Sequence, residues 1–277
     1  MKPSLVVLSD FSPAAERALA YAAVLAGPLA AEIHVVNVYS PPPMTSRVAA
    51  VLYATNARYL RERRRTLEKA VADLPGPTTT ELIEADWDTA VTDALARYEP
   101  LLLVAGLTAT DGPIEEWLSN RPLPLARQTG YPLLLVPQHL PNAALRLPRR
   151  LALAVADEDF ALAPNALRVA PLLDALNPSI VTVCVVPADT WATGAHGLQA
   201  ARRCGLAAAL PESQIHTVVG AAPAPGILQA VAELDVDLLA LVDRGHGWLH
   251  ALAVDSVFDQ VLRDTPVPVL LLAAHTG

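Results

Sequence analysis

The sequence predicts an α/β protein built from two tandem domains, each a doubly wound and mainly parallel sheet. Three observations lead to this fold class. The 277 residues suit about two domains of roughly 150 residues. The two halves repeat one another, and within each half short apolar runs alternate with helical patterns. Continuous Val and Leu runs are typical of strands buried on both faces, and their alternation with helices favours parallel pairing with right-handed crossovers.

The internal repeat is visible in four pairs of segments. SLVVLSD (4–10) matches LALAVAD (151–157), and IHVVNVYS (33–40) matches IVTVCVVP (180–187), both at a separation of 147 residues. PLLLVAG (100–106) matches VDLLALV (236–242), and YPLLLVP (131–137) matches VPVLLLA (267–273), both at a separation of 136. The first half therefore carries 11 extra residues between its second and third strands, in or near 41–77.

The elements follow the same order in each half. In the first half we predict strands at 5–8, 33–38, 81–84, 101–105 and 133–136, and helices at 13–26, 49–72, 87–97 and after Ser119. In the second half we predict strands at 151–155, 180–186, 216–219, 237–242 and 268–272. The repeat predicts one domain at 1–140 and a second at 148–277, joined by a linker at 141–150.

Composition narrows the class of protein. Hydrophobic residues make up 53% and charged residues 17%, which excludes disorder as the main state. A net charge of −8 disfavours a nucleic-acid partner held by bulk electrostatics. No run of 18 apolar residues is present, so we expect no membrane span. Two cysteines cannot build a disulfide framework, and a reducing, cytoplasmic location is the simpler prediction.

Candidate ligand residues lie just past the first and fourth strands of each half, because ligands of open parallel sheets bind at the carboxyl ends of strands where the strand order reverses. Asp10 and Asp157 follow the first strands. The loops 106–121 and 242–257 follow the fourth strands and lead to Asn120 and Ser256, which suit a helix N-cap or a phosphate contact. The same aspartates can instead be plain helix caps.

Three segments carry a resemblance to a known family. LVVLSDFSPAAERALAYA (5–22), LLLVAG (101–106) and DSVFDQVLRDTPVPVLLL (255–272) resemble the universal stress proteins in their tandem two-domain form, over nearly the whole chain. The resemblance implies a five-stranded, Rossmann-like sheet in each half and domains that pair through their last strands. In the members that bind ATP, the resemblance implies that an Asp after strand one and a Val at the end of strand two contact the base and the ribose. In those members a loop of pattern G-x2-G-x9-G-(S/T/N) holds the phosphates.

Carried over to this sequence, the Asp falls on Asp10 and Asp157 and the Val on Val38 and Val185. The loop departs from the family pattern in both halves. Its positions hold Gly106, Ala109, Ser119 and Asn120 in the first half, and Val242, Gly245, Asp255 and Ser256 in the second. The residues that the resemblance marks for nucleotide binding are thus Asp10, Val38, Gly106, Asn120, Asp157, Val185, Gly245 and Ser256.

The departures predict weakened nucleotide binding. A Cβ at Ala109 or Val242 obstructs close approach of the backbone to phosphate. Asp255 would place a carboxylate beside the phosphates, where like charges repel. The second half therefore looks impaired for ATP. We expect no tightly held cofactor, and ATP or AMP remain open as weakly bound ligands.

Other chemistries fit the sequence less well. Related nucleotide hydrolases place an SGGxDS-like loop after strand one, whereas this chain reads SDFSPAAE, so we expect no enzyme activity and no catalytic residues. Asp243, His246 and His250 have a spacing that zinc could use, but no fourth ligand is evident and no metal site is predicted. The basic run at 58–69 is interpreted as the solvated face of a long helix rather than an RNA surface. Any exposed tryptophan among Trp87, Trp117, Trp191 and Trp248 is a candidate anchor for a protein partner, and Trp117 and Trp248 fall in the fourth-strand loops.

Together these features predict a non-catalytic stress-response protein with two degenerate nucleotide-binding folds, acting as an interaction or sensing module. The alternative is an adenine-nucleotide sensor whose bound ATP or AMP controls a partner surface. Neither nucleic acid nor a membrane is expected as a partner, and the protein partner is not identified by the sequence. The apolar strands 133–136 and 269–272 are expected to pair within the chain, since each is otherwise an exposed edge. A homodimer of whole chains stays open.

Overall fold

The computed structural model of the protein describes residues 2–40, 49–108, 128–188, 193–244 and 257–276. The first half contains five strands: β1 (Ser4–Leu8), β2 (Glu32–Tyr39), β3 (Thr78–Glu84), β4 (Leu102–Leu107) and β5 (Leu133–Pro137). Its described helices are α1 (Pro13–Ala26), α2 (Ala49–Val71) and α3 (Trp87–Tyr98). These bounds lie within a few residues of the sequence prediction. The largest difference is in β3, which begins at Thr78 rather than at 81, because its first three residues are polar threonines.

The second half repeats this order with one addition. Its strands are β6 (Arg150–Val155), β7 (Phe160–Leu162), β8 (Ser179–Val186), β9 (Gln214–Val219), β10 (Leu238–Asp243) and β11 (Val269–Thr276). Its described helices are α4 (Ala170–Leu176), α5 (Ala195–Arg203), α6 (Pro223–Glu233) and α7 (Val257–Asp264). The short strand β7 and the 3₁₀ turn Pro164–Val169 stand where the first half has the opening of α1, and the sequence analysis did not foresee them.

Ten strands form one continuous sheet in the order β3-β2-β1-β4-β5-β11-β10-β6-β8-β9. Among these ten strands the pairing within each half is parallel, as predicted. The two halves join where β5 and β11 pair antiparallel, with Leu134 opposite Leu270. The expected pairing through the last strands of each half is therefore present in the structure, and it removes two apolar edges. Strand β7 extends this junction by pairing antiparallel with the end of β11.

Two apolar layers cover the sheet, and each runs across both halves. One layer contains buried residues of α1, α2, α4 and α5, and the other contains buried residues of α3, α6 and α7. The paired residues at the junction are at most 2% exposed, and Leu134 and Leu270 are each 1% exposed. The halves therefore share one hydrophobic core on each face of the sheet.

Polar contacts reinforce the junction. The Arg168 guanidinium donates to the carbonyls of Glu99 (2.6 Å) and Pro100 (3.1 Å), and it lies 5.4 Å from the centre of the Tyr131 ring. Asp237 accepts from the backbone N–H groups of Arg149 (2.9 Å) and Arg150 (3.0 Å). These bonds attach the second half to the α3–β4 turn and hold the end of the linker against the start of β10.

Candidate functional site

The sheet order places one candidate site in each half. In the first half the strand order reverses between β1 and β4, and in the second between β6 and β10. At such a reversal the helices leave on opposite faces, which opens a crevice at the carboxyl ends of the two strands. Residues that follow β1, β4, β6 and β10 therefore decide what each half can bind.

In the first half, Asp10 is exposed and remains in its own loop. One of its carboxylate oxygens accepts a hydrogen bond from the Ser12 backbone N–H at 2.9 Å, which closes an Asx turn. The cap of α1 is Ser12 instead, whose hydroxyl accepts from the Ala15 N–H at 3.2 Å, and Pro13 opens the helix. Asp10 thus keeps acceptor capacity that faces solvent.

A cationic and aromatic cluster lies beside Asp10. Phe11 has a φ of 68°, a conformation that costs a non-glycine residue about 1 kcal/mol or more. The Arg63 guanidinium, reaching over from α2, lies 4.9 Å from the centre of the Phe11 ring and 5.1 Å from that of Tyr59. Arg63 also donates to the side-chain oxygen of the buried Asn37 at 3.0 Å. The sequence analysis missed this cluster, because no local signal links α2 to the loop after β1.

Gly106, assigned by resemblance to the phosphate loop, has a packing role in the structure. It lies in β4 and is buried. A Cβ at this position would lie 2.4 Å from the carbonyl carbon of Ala14 and 2.6 Å from its oxygen. Glycine is therefore required here because the first turn of α1 crosses directly over β4. Its part in ligand binding stays a prediction.

Asp157 makes a different set of contacts from Asp10, its counterpart in the repeat. Its carboxylate accepts from the backbone N–H groups of Gly194 (3.1 Å), His196 (2.9 Å) and Gly197 (3.3 Å). Its side chain is 17% exposed. Gly194 supplies no capping side chain, so Asp157 acts as the cap of α5 from a distant part of the chain. Both carboxylate oxygens are therefore already engaged by the start of the helix.

Two glycines allow α5 to approach Asp157. A Cβ at Gly197 would lie 2.3 Å from the carbonyl oxygen of Ala156. Gly194 has a φ of +76°, and a Cβ there would lie 2.9 Å from Cβ of Cys184. Burial raises the pKa of the Cys184 thiol to about 11, and the Asp157 carboxylate adds to the rise. That thiol is neutral near pH 7 and is a poor nucleophile.

The two candidate valines lie at corresponding places on the sheet. Val38 and Val185 are half-buried at the ends of β2 and β8, and both pack against the layer that holds α3 and α6. A Cβ at Gly226 of α6 would lie 2.8 Å from Cγ1 of Val185, so helix and strand are in close contact there. These positions suit the wall of a pocket, as the resemblance implies, but no contact made by either valine identifies a ligand.

The crevice between β6 and β10 contains a pair of residues that the sequence analysis did not single out. We call it the β6–β10 crevice; it is lined by the ends of both strands together with Glu158, Phe160, Ile227, Arg244, Val257 and Phe258. Val242, which replaces a family glycine, also lines it. The Arg244 side chain is only 9% exposed and forms an ion pair with Glu158, which is 66% exposed. The available signal was a cation directly after a buried strand.

Several sequence-based assignments fall outside the described residues. These are Asn120, Gly245 and Ser256, the loop positions Ala109, Ser119 and Asp255, and the residues Trp117, Trp191, Trp248, His246 and His250. Within the described ranges, His, Cys, Asp and Glu side chains form no group of three that could hold a metal ion. No helix in this part of the chain is long and apolar enough to cross a membrane.

Comparison with known proteins identifies the family. The model of the universal stress protein family matches residues 2–137 and again 154–273. A universal stress protein from Archaeoglobus fulgidus DSM 4304 is similar over 98% of both chains, at 15% identity and a TM-score of 0.68. No match is found among curated proteins.

Two further solved structures are similar to parts or all of the chain. One, from Pseudomonas aeruginosa UCBPP-PA14 and described as a universal stress protein, matches 98% of this chain and 93% of its own, at 16% identity and a TM-score of 0.55. The other, a universal stress protein in complex with cAMP, matches 48% of this chain and 96% of its own, at 21% identity and a TM-score of 0.36. At these identities the two matches with TM-scores above 0.5 establish the fold.

Proposed function

Because this chain belongs to the universal stress protein family, with one domain of that family in each half, we propose that it is a non-catalytic interaction and sensing module of the stress response whose two nucleotide-type sites are not equivalent. The observation that carries the proposal is the state of Asp157. Its carboxylate accepts from three backbone N–H groups of α5. A ribose hydroxyl would have to compete with those three bonds for the same carboxylate.

The proposal is supported by the chemistry of the described residues. The Cys184 thiol is held neutral by burial and is sealed behind α5. Asp157 accepts from backbone N–H groups of α5, and Nδ1 of the exposed His196 lies 3.8 Å from its Oδ1, too far for a hydrogen bond. General acid–base or nucleophilic chemistry needs a titratable group aimed at a reacting atom. Neither of these groups is in a position to serve.

A second candidate function, an adenine-nucleotide sensor confined to the first half, is favoured by Asp10. That carboxylate is exposed, and among the residues that the structure describes its hydrogen bond is the one from the Ser12 N–H. Under this alternative, ATP or AMP would bind beside β1 and β4 and would contact the loop that carries Phe11. The Arg63 cluster would then link ligand binding to the exposed face of α2. The ligand could thereby change a partner surface.

Calorimetric titration with ATP and AMP, with and without Mg²⁺, tests the proposal with a matched pair of variants, Asp10→Ala and Asp157→Ala. If the chain is an interaction module, the unmodified protein should show no saturable nucleotide binding with a dissociation constant near micromolar, which corresponds to a binding free energy of about −8 kcal/mol. Binding that Asp10→Ala abolishes and Asp157→Ala leaves intact would establish the sensor instead. Mass spectrometry of heat-released material checks for a ligand that was already bound. Phosphate release from ATP at a steady rate would contradict the non-catalytic part.

A further inference from the structure

The β6–β10 crevice combines apolar walls with one buried cation. Phe160, Ile227, Val242 and Phe258 contribute apolar surface, and Arg244 contributes the guanidinium. A guanidinium that is largely removed from water needs an anion beside it, because an unpaired buried charge is costly. Small-molecule sites have this composition, in which apolar walls surround a few polar groups that fix orientation. The crevice has a free volume of about 20 Å³ while Glu158 is paired with Arg244, so an organic anion can enter only when the Glu158 side chain moves out.

Glu158, the anion that now pairs with Arg244, lies on the solvent-exposed side of the ion pair. Glu158 is 66% exposed, whereas Arg244 is 9% exposed. Rotation of the Glu158 side chain into solvent would leave Arg244 in the crevice without an anion, which is costly for a charge so largely buried. A ligand carboxylate that takes the place of Glu158 restores the pairing, so it can compete with Glu158 for the guanidinium.

The pair belongs to the second half alone. At the corresponding positions of the repeat, the first half has Thr108 and Phe11. Neither is charged, and Phe11 is covered by Arg63 of α2. The first half has the same fold without this ion pair, so the fold does not require Arg244 and Glu158.

We propose that the β6–β10 crevice binds a small organic carboxylate with an apolar body, with the carboxylate on Arg244 in place of Glu158. The fork of the guanidinium matches a carboxylate in a bidentate arrangement. The apolar body lies against Phe160 and Phe258. A nucleotide suits this crevice less well, because the adjacent Asp157 is committed to α5 and a polyphosphate brings more charge than one arginine balances. The inference deepens the sensing role proposed above by naming the ligand class.

The test uses the full chain with hexanoate, benzoate, inorganic phosphate and AMP as probes, titrated by calorimetry. Glu158→Gln removes the competing anion and is expected to tighten hexanoate binding by about tenfold, equivalent to about 1.4 kcal/mol. Arg244→Gln is expected to abolish it. Arg203→Gln is the matched control, because Arg203 forms an exposed ion pair with Asp159 in the same region, 3.0 Å apart. That variant should bind hexanoate like the unmodified chain.

Three results would overturn the inference. They are the absence of hexanoate and benzoate binding in Glu158→Gln, hexanoate binding that Arg244→Gln leaves unchanged, and Arg244-dependent binding of phosphate or AMP that is tighter than that of either carboxylate. If Arg244→Gln folds poorly, the test rests on Glu158→Gln. That variant should bind hexanoate more tightly than the unmodified chain, and hexanoate should raise its melting temperature by more. These outcomes are distinct from failure of the proposed function, which would show as Asp10-dependent nucleotide binding or as turnover.

Discussion

The two halves place an aspartate at the same position of the repeat and use it in different ways. Asp10 closes a short turn in front of α1, which carries its own cap in Ser12. Asp157 has no such helix directly after it, because β7 and a 3₁₀ turn follow instead. Its carboxylate reaches across to cap α5. Equivalent residues of a repeat therefore keep their place on the sheet, while their hydrogen bonds depend on the segment that follows.

The different path of the chain after the first strand of each half also explains why the fourth strands carry different residues at one position, Gly106 and Val242. Gly106 must be glycine because the first turn of α1 lies on top of it. In the second half the chain leaves β6 by another route, so Val242 is tolerated and lines the β6–β10 crevice. A glycine that resembles a phosphate-loop residue can thus be kept for packing, and its loss can reflect a changed loop path.

The junction between the halves gives the largest expected effect. Leu134→Lys places a charge at a position that is 1% exposed and faces Leu270 of the partner strand. We expect a loss of at least about 4 kcal/mol in the free energy of unfolding, measured with urea. Leu147→Lys, at an exposed linker residue, is the control and should change stability by less than about 0.5 kcal/mol. A mild effect of Leu134→Lys would mean that the halves do not depend on the shared sheet.

Exchanging the fourth-strand residues between the halves tests the packing argument. Gly106→Val is expected to cost about 3 kcal/mol, because its side chain meets the backbone of Ala14 and cannot displace it cheaply. Val242→Gly should cost about 1 kcal/mol, through backbone freedom and lost burial. Denaturant unfolding measures both. Equal losses in the two variants would contradict the claim that only the first half requires glycine.

Removing the two aspartates compares their hydrogen bonds directly. Asp157→Ala is expected to lower stability by about 1 to 2 kcal/mol, because three N–H groups at the start of α5 lose their acceptor. Hydrogen exchange should increase at the first turn of α5. Asp10→Ala should change stability by less than about 0.5 kcal/mol, since it breaks one bond in an exposed turn. Similar losses of stability from both substitutions would show that the hydrogen bonds of Asp157 contribute no more to the fold than the single bond of Asp10.

The smallest expected effect is a pH dependence confined to the first half. Burial lowers the pKa of His34 from its ordinary value of 6.5, although Glu32 and Glu81 oppose the shift. The ring stacks on Tyr98 at 3.9 Å, and Nδ1 lies 2.7 Å from the Thr79 hydroxyl. Because the folded state favours neutral histidine, the unfolded chain takes up a proton first. Stability should therefore fall as the pH decreases through about 6.5.

His34→Val, which installs the residue found at the corresponding position 181, tests this dependence. The variant should show a shallower decrease in unfolding free energy between pH 7 and pH 5 than the unmodified chain, whatever its stability at pH 7. Parallel pH profiles of unfolding free energy in the two proteins would show that His34 does not cause the pH dependence.

The repeat, the strands and helices other than β7, and the pairing of the halves through their last strands could all be predicted from the sequence. Apolar runs and helical periodicity are local signals, and an apolar edge in each half requires a cover. The use of the site residues could not be predicted in this way. Asp157 caps a helix 37 to 40 residues further along, and Arg244 meets Glu158 across 86 residues. Such contacts depend on the paths of loops over the ends of strands, and no local pattern encodes them.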